Sequence, residues 1–233
     1  MFNNNELNQP DDPEQIFQIE RIHNEGETKN FKLLGVLFDE YLSFDDHINN
    51  LCAKISKSLF CINRIKNFVR TEALKMLYFA MIHSHIMYCM NVYSCANKTS
   101  LNKLVIKQKQ AIRIISQAGY RDHTAPLFAQ LGILPIDHLM RFAKAKFMHQ
   151  FISKKLPITF AETWLTNRER TPNNRELRNA NDLYIPPHNF ATLKRMPLFS
   201  FPKAWNEELD SKNLPSQNLF LKSLKRSLLQ TLL

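Results

Sequence analysis

The spacing of apolar residues changes period near residue 44. Before that point, IFQIERI (16–22) and FKLLGVLFDE (31–40) are short apolar-rich runs joined by HNEGETKN, whose Gly26 suits a hairpin connection. They predict a two-stranded β-hairpin. Two strands alone are marginal in water, so the hairpin must pack on helices or on a sheet supplied from elsewhere. From Asp45 the pattern turns helical. Ile48, Leu51, Cys52, Ile55, Leu59 and Ile62 form one stripe to about Lys66, while Lys54, Lys57 and Arg64 project from the opposite side.

Further helices follow. One starts at Thr71 with Leu74, Leu77, Tyr78, Met81 and Ile82 inward. Another runs from about Ser100 to Ala118, burying Leu101, Leu104, Val105, Ala111, Ile112 and Ile115, with Gly119 as its stop. HTAPLFAQLGI reads as a short helix and PIDHLMRFAKAKFMHQFI as a longer one with proline at its start. The pattern weakens after Leu156. Residues 165–200 are rich in Asn, Arg and Pro and read as extended chain, FPKAWNEELD offers Trp205 as an anchor, and SQNLFLKSLKRSLLQTLL reads as a basic amphipathic helix. The expected class is mostly α: a helical bundle preceded by a short β-hairpin, with an extended irregular segment and a C-terminal helix. The expected organisation is a polar lead-in at 1–15, the hairpin at 16–40, a helical domain at 41–156 and an extended C-terminal region at 157–233.

Composition narrows the chemistry. Four glycines stand against seventeen phenylalanines, and neither GxGxxG nor GxxxxGK[ST] occurs, so phosphate loops of those two kinds are excluded. The net charge of +10 is uneven. Residues 1–30 hold seven acids and two bases, leaving fourteen acids and twenty-nine bases for the rest. From His47 to Arg121 there is one acid, Glu72, against twelve Lys and Arg. That field attracts phosphates or anionic lipid heads; a merely soluble basic surface is the plain alternative. The polar, acidic start is no signal peptide, the four cysteines have no CxxC spacing, and the longest apolar run falls short of a membrane span. Reduced thiols in an intracellular setting, cytoplasm or nucleus, are expected, without membrane association. His83, His85, Cys89 and Cys95 lack a regular ligand spacing and read as buried side chains, so no metal ligand is expected.

LSFDDHI (42–48) raises a sharper question, because an aromatic before paired aspartates is the metal-binding signature of polymerases that copy RNA. Two-metal chemistry needs carboxylates converging from separate segments. The residues after Asp45 and Asp46 follow a helical period rather than a strand's, and Asp11 and Asp12 lie in the polar lead-in without a strand to fix them. Ser43 with Asp46 instead fits a capping box, with both aspartates in the first helical turn. No catalytic residue is assigned.

FKLLGVLFDEYLSFDDHI resembles the end of the reverse transcriptase of non-LTR retrotransposons, the jockey-like and related elements. The matching positions are Phe31, Lys32, Leu34, Gly35 and Val36, then Asp39, Leu42, Phe44, His47 and Ile48, while Leu33 replaces the usual aromatic. The likeness continues through KISKSLFCINRI, LYFAMIHSHIMYC, LNKLVIKQKQAIRII, HTAPLFAQLGIL, RNANDLYIPPHN and FPKAWNEEL, from residue 16 onward. It implies that the L-G-V strand belongs to the primer grip at the end of the palm, and that the helices beyond form a thumb and an extension. Phe31, Lys32, Leu33, Leu34, Gly35 and Val36 would lie against the primer's 3′ end. Lys54, Lys57 and Arg64, and Lys103, Lys107, Lys109 and Arg113, would contact the phosphates of an RNA–DNA or other duplex, weakly and without reading bases.

Fingers and the catalytic aspartates should then precede residue 16, which leaves no room for them. The expected chain is a truncated reverse transcriptase fragment, not an enzyme by itself and with no cofactor; Mg²⁺ is expected only for the complete enzyme. Two alternatives stand beside it: a working RNA-directed DNA polymerase completed by an upstream palm and fingers segment, and a helical interaction module with no nucleic-acid role.

Overall fold

The computed structural model describes residues 30–170, 179–190, 193–207 and 216–232. The lead-in at 1–15 and the strand expected at 16–22 lie outside them. What was expected as one strand over 31–40 is itself a hairpin: β1 (Phe31–Leu33) pairs antiparallel with β2 (Val36–Phe38), Phe31 opposite Phe38 and Leu33 opposite Val36. The reason is local. Leu34 and Gly35 both take positive φ, 46° and 83°, which gives the turn the hand that matches strand twist.

Helix α1 (Asp45–Ile65) starts where the period changes, and all six residues of its expected apolar stripe are buried. The capping box does not form. Phe44, left-handed at φ 57°, occupies the cap position without a side-chain cap bond, and Asp39 organises the preceding loop instead. Its carboxylate accepts from the backbone N–H groups of Tyr41, Ser43 and Phe44 and from the Ser43 hydroxyl. Burial alone would raise the Asp39 pKa; the Ser43 and Phe44 bonds outweigh it and hold the group below the usual carboxylate value.

The second expected helix is interrupted. Helix α2 (Thr71–Tyr78) passes through a wide π turn at Phe79–His83 into α3 (Ser84–Met87), and Cys89 at φ 51° leads into α4 (Met90–Tyr93). Leu74, Tyr78 and Ile82 are buried as expected, while Leu77 and Met81 are half-buried. The Met81 carbonyl accepts from Ser58 of α1 at 3.2 Å.

Helix α5 (Lys98–Ile115) begins two residues earlier than its pattern suggested and ends sooner. Gln117, at φ 51°, is the left-handed residue after it, not Gly119. The Gly119 N–H instead donates to Asp122 Oδ2 at 2.7 Å. Helix α6 (Thr124–Leu131) closes on Gly132 at φ 63°, and α7 (Ile136–Ile152) follows with Pro135 as its cap residue. Gln108 of α5, fully buried, ties these together. Its Nε2 donates to the Tyr78 hydroxyl and the Leu134 carbonyl, and its Oε1 accepts from the Ile136 N–H, each at 2.9 Å.

Helix α7 packs against α4, α5 and two helices of the C-terminal region. An aromatic layer on it brings Phe147 against Phe160, Trp164 and Phe201, and His149 onto Phe220 at 4.7 Å. The segment expected to be extended is partly structured. It holds a helical turn, α8 (Asn167–Arg170), a bridge between Thr166 and Leu183, and the start of α9 (Pro197–Glu207). Pro202 inside α9 has no N–H for the Leu198 carbonyl four residues back, and the Trp164 indole donates to that carbonyl at 3.3 Å. Trp205 is buried as expected, and Asn206 beside it brackets Leu183, accepting its N–H at 3.1 Å and donating to its carbonyl at 2.8 Å. Helix α10 (Gln217–Gln230) buries Phe220, Leu224 and Leu228 against α6 and α7. The architecture is mostly helical with a short N-terminal hairpin, as its pattern predicts. Among the described residues no helix is long and apolar enough to cross a membrane.

Candidate nucleic-acid interface

The hairpin tip is apolar and open. Phe31, Lys32, Leu33, Leu34 and Gly35 are exposed, and Leu34 stands out at 79%; Val36 faces the core at 2%. The root of the hairpin is tied to α1: Phe38 meets Phe44 edge-on at 5.5 Å, and Asn30 donates to Asp46. The tip is braced by Tyr88, whose hydroxyl donates to the Leu34 carbonyl at 2.5 Å. Tyr88 lies inside the LYFAMIHSHIMYC likeness but had no assigned role. Only a contact across fifty-four residues gives it one.

His47 is the second tie. Its ring is buried, and Nδ1 accepts the Leu37 N–H at 3.4 Å, which requires that nitrogen to be unprotonated. Burial, helped by the charge of Lys54, lowers its pKa below 6.5, and burial with Lys225 does the same for His83. The unfolded chain therefore takes up these protons at higher pH than the folded one. Their contribution to stability is complete above about pH 6.5 and falls as pH drops through the window below it. The urea midpoint should be lower at about pH 5.5 than at about pH 7.5, and His47→Asn should reduce that difference. A pH-independent midpoint would contradict the His47–Leu37 tie.

Asp45 and Asp46 both lie in the first turn of α1, and both are engaged. Ser100 of α5 donates to Asp45, while Asp46 accepts from Asn30. Among the described residues no three His, Cys, Asp or Glu side chains converge in a way that could hold a metal ion. His83, His85, Cys89 and Cys95 do not form a set, and all four cysteines are free thiols. His85 is exposed rather than buried, and His83, Cys89 and Cys95 are half-buried.

The basic side chains divide along α1 and α5. These helices run side by side in the same direction, with Asp45 beside Ser100, Asn49 beside Lys103 and Lys66 beside Gln117. Lys54, Lys57 and Arg64 are exposed on α1, the last two seven residues apart and therefore on one line. Lys103 reaches across to Asn49 Oδ1 at 2.8 Å, and Lys107 follows one turn later. Both lie close enough to the Cys52 thiol to pull its pKa down against burial, which nonetheless leaves it raised.

Three predicted cations do not join this face. Lys54, two residues from both Cys52 and Ser56, points away from α5 and lies near enough to His47 to add to the effect of burial in lowering that ring's pKa. Lys109 lines an open cleft of about 840 Å³ with Lys98, Asp137 and Arg195. Arg113 donates through Nε and Nη2 to the Asp122 carbonyl at 3.1 and 3.0 Å. A run of four bases in one helix thus becomes two stripes, because residues four apart stack while residues two apart point away from each other.

Known proteins give one bearing. The chain is 26% identical over 123 residues to the RNA-directed DNA polymerase from mobile element jockey of Drosophila funebris. The matched stretch covers 52% of this chain and 13% of that protein, so this chain corresponds to a small part of its relative's length. No family model matches, and no solved structure matches. The likeness suggests a reverse-transcriptase relationship.

Proposed function

We propose that this chain is the template–primer-holding part of a reverse transcriptase of the jockey-like, non-LTR kind. The braced hairpin tip, Phe31 to Val36, corresponds to the primer grip, and the helices from α1 onward to the thumb. The α1–α5 face, with Lys57, Arg64, Lys103 and Lys107, takes the phosphates of an RNA–DNA duplex. Polymerisation and its Mg²⁺ belong to carboxylates outside this stretch, so the chain alone holds a duplex without extending it.

The observation that carries this reading is the placement of four bases, Lys57, Arg64, Lys103 and Lys107, on two parallel helices. No acid lies between His47 and Arg121 except Glu72. The likeness to the jockey polymerase supports it. The interaction-module alternative loses its two surfaces, since the apolar face of α10 and Trp205 are already packed inside the molecule.

Phosphate contacts release counterions, so binding of an RNA–DNA hybrid should weaken steeply with salt. With four contacts, the affinity should fall by about two orders of magnitude between about 50 and 200 mM salt. Fluorescence anisotropy with a labelled hybrid measures it. Equal affinity at both concentrations would refute the proposal.

A further inference from the structure

Phe60 is the part of this face that a duplex backbone does not use. It lies three residues after Lys57 and four before Arg64, so the three side chains follow one line on α1. Phe68 comes four residues beyond Arg64, in the turn that leaves the helix. On α1 the line reads cation, ring, cation. Both rings are largely open, Phe60 at 65% and Phe68 at 86%, while Leu59 and Ile62 of the same helix are buried. The Arg64 guanidinium carbon lies 5.6 Å from the Phe60 centroid, which covers part of the ring and brings a positive charge beside it.

A ring set between two cations at helical spacing matches the chemistry of an unpaired strand. A duplex hides its base faces inside the stack, whereas a single strand presents a π-face at each base and a phosphate on either side of it. Beyond Asp46 in its first turn, which accepts from Asn30, α1 puts no acid on this line: from His47 to Thr71 the sequence has no Asp or Glu. We infer that Phe60, with Phe68, is a stacking platform for unpaired nucleobases, and that Lys57 and Arg64 take the flanking phosphates. The same surface then takes a duplex through its phosphates alone, or an unpaired strand through phosphates and bases together. This rests on the nucleic-acid reading above and extends it from backbone holding to base contact.

The test compares a short single strand with a blunt RNA–DNA hybrid by anisotropy, on the full chain at low salt. Phe60→Ala should weaken single-strand binding roughly ten-fold, and the double variant with Phe68→Ala more, while hybrid binding changes less than about two-fold. Phe60→Trp should retain binding, with its fluorescence quenched by the bound strand. Because both rings are exposed, these variants keep the core intact. Equal losses on strand and hybrid, or full single-strand affinity in Phe60→Leu, would overturn the stacking role. Anionic vesicles give a further arm: if Phe60→Ala weakens vesicle binding and leaves strand binding unchanged, the rings serve a lipid surface and the inference fails. If the unaltered chain binds the hybrid but no single strand, this inference fails alone; if it binds neither, the proposed function fails with it.

Discussion

Replacing Gln108 by leucine should destabilise the fold by about 3–6 kcal/mol, a large share of the total stability of an ordinary domain. The size follows from what one side chain satisfies. Gln108 is fully buried and serves three groups from two other parts of the chain: the Tyr78 hydroxyl in α2, and the Leu134 carbonyl and Ile136 N–H at the start of α7. Leucine fills similar space but leaves all three without that partner, and a buried polar group stripped of its bond costs about 1–3 kcal/mol. Tyr78 is itself completely buried, and burial pushes its hydroxyl up to about 12, so ionisation offers no escape. Urea denaturation followed by circular dichroism measures the change. A loss below about 1 kcal/mol would show that the junction of α2, α5 and α7 does not depend on this amide.

The second large effect is on binding. Changing Lys57, Arg64, Lys103 and Lys107 together to glutamine should weaken hybrid binding by about two to three orders of magnitude at low salt. The slope of log affinity against log salt should also fall by about 4, one phosphate contact being lost with each of the four cations. Lys109→Gln with Arg113→Gln is the matched control. One of those side chains lines the separate cleft and the other is engaged with the Asp122 carbonyl, so the pair should cost less than about three-fold. The four substituted side chains are exposed or half-buried, and their removal leaves the core untouched. If the control pair lost more affinity than the quadruple variant, the interface would lie on the other side of α5.

Much of this architecture was legible from spacing. The stripe from Ile48 to Ile62 predicted α1, and the residues it marked are buried. The amphipathic tail predicted α10 and its docking. Legibility failed where a local signal had two solutions. Leu-Gly inside an apolar run fits an uninterrupted strand as well as a turn, and the positive φ of both residues decides for the turn. Ser43 and Asp46 fit a capping box, but Asp39 captures the Ser43 hydroxyl and the neighbouring N–H groups first. Gly119 looked like a helix stop, yet Gln117 adopts the left-handed geometry.

The candidate interface divides in the same way. That the region between His47 and Arg121 is a positive field is a matter of composition alone. Which of its cations act together was decided by how α1 and α5 pack, since a helix turns residues two apart onto different faces. Tyr88 at the hairpin tip and Gln108 at the helix junction carry no sequence signature, because their roles lie in contacts across 54 residues and across 26 to 30 residues. By itself the sequence determined most of the helices, the charge and the likeness to a polymerase, all of which depend on residues near one another along the chain. Only the tertiary structure decided which polar groups are satisfied in the core and which bases share a face, because those depend on segments meeting in space.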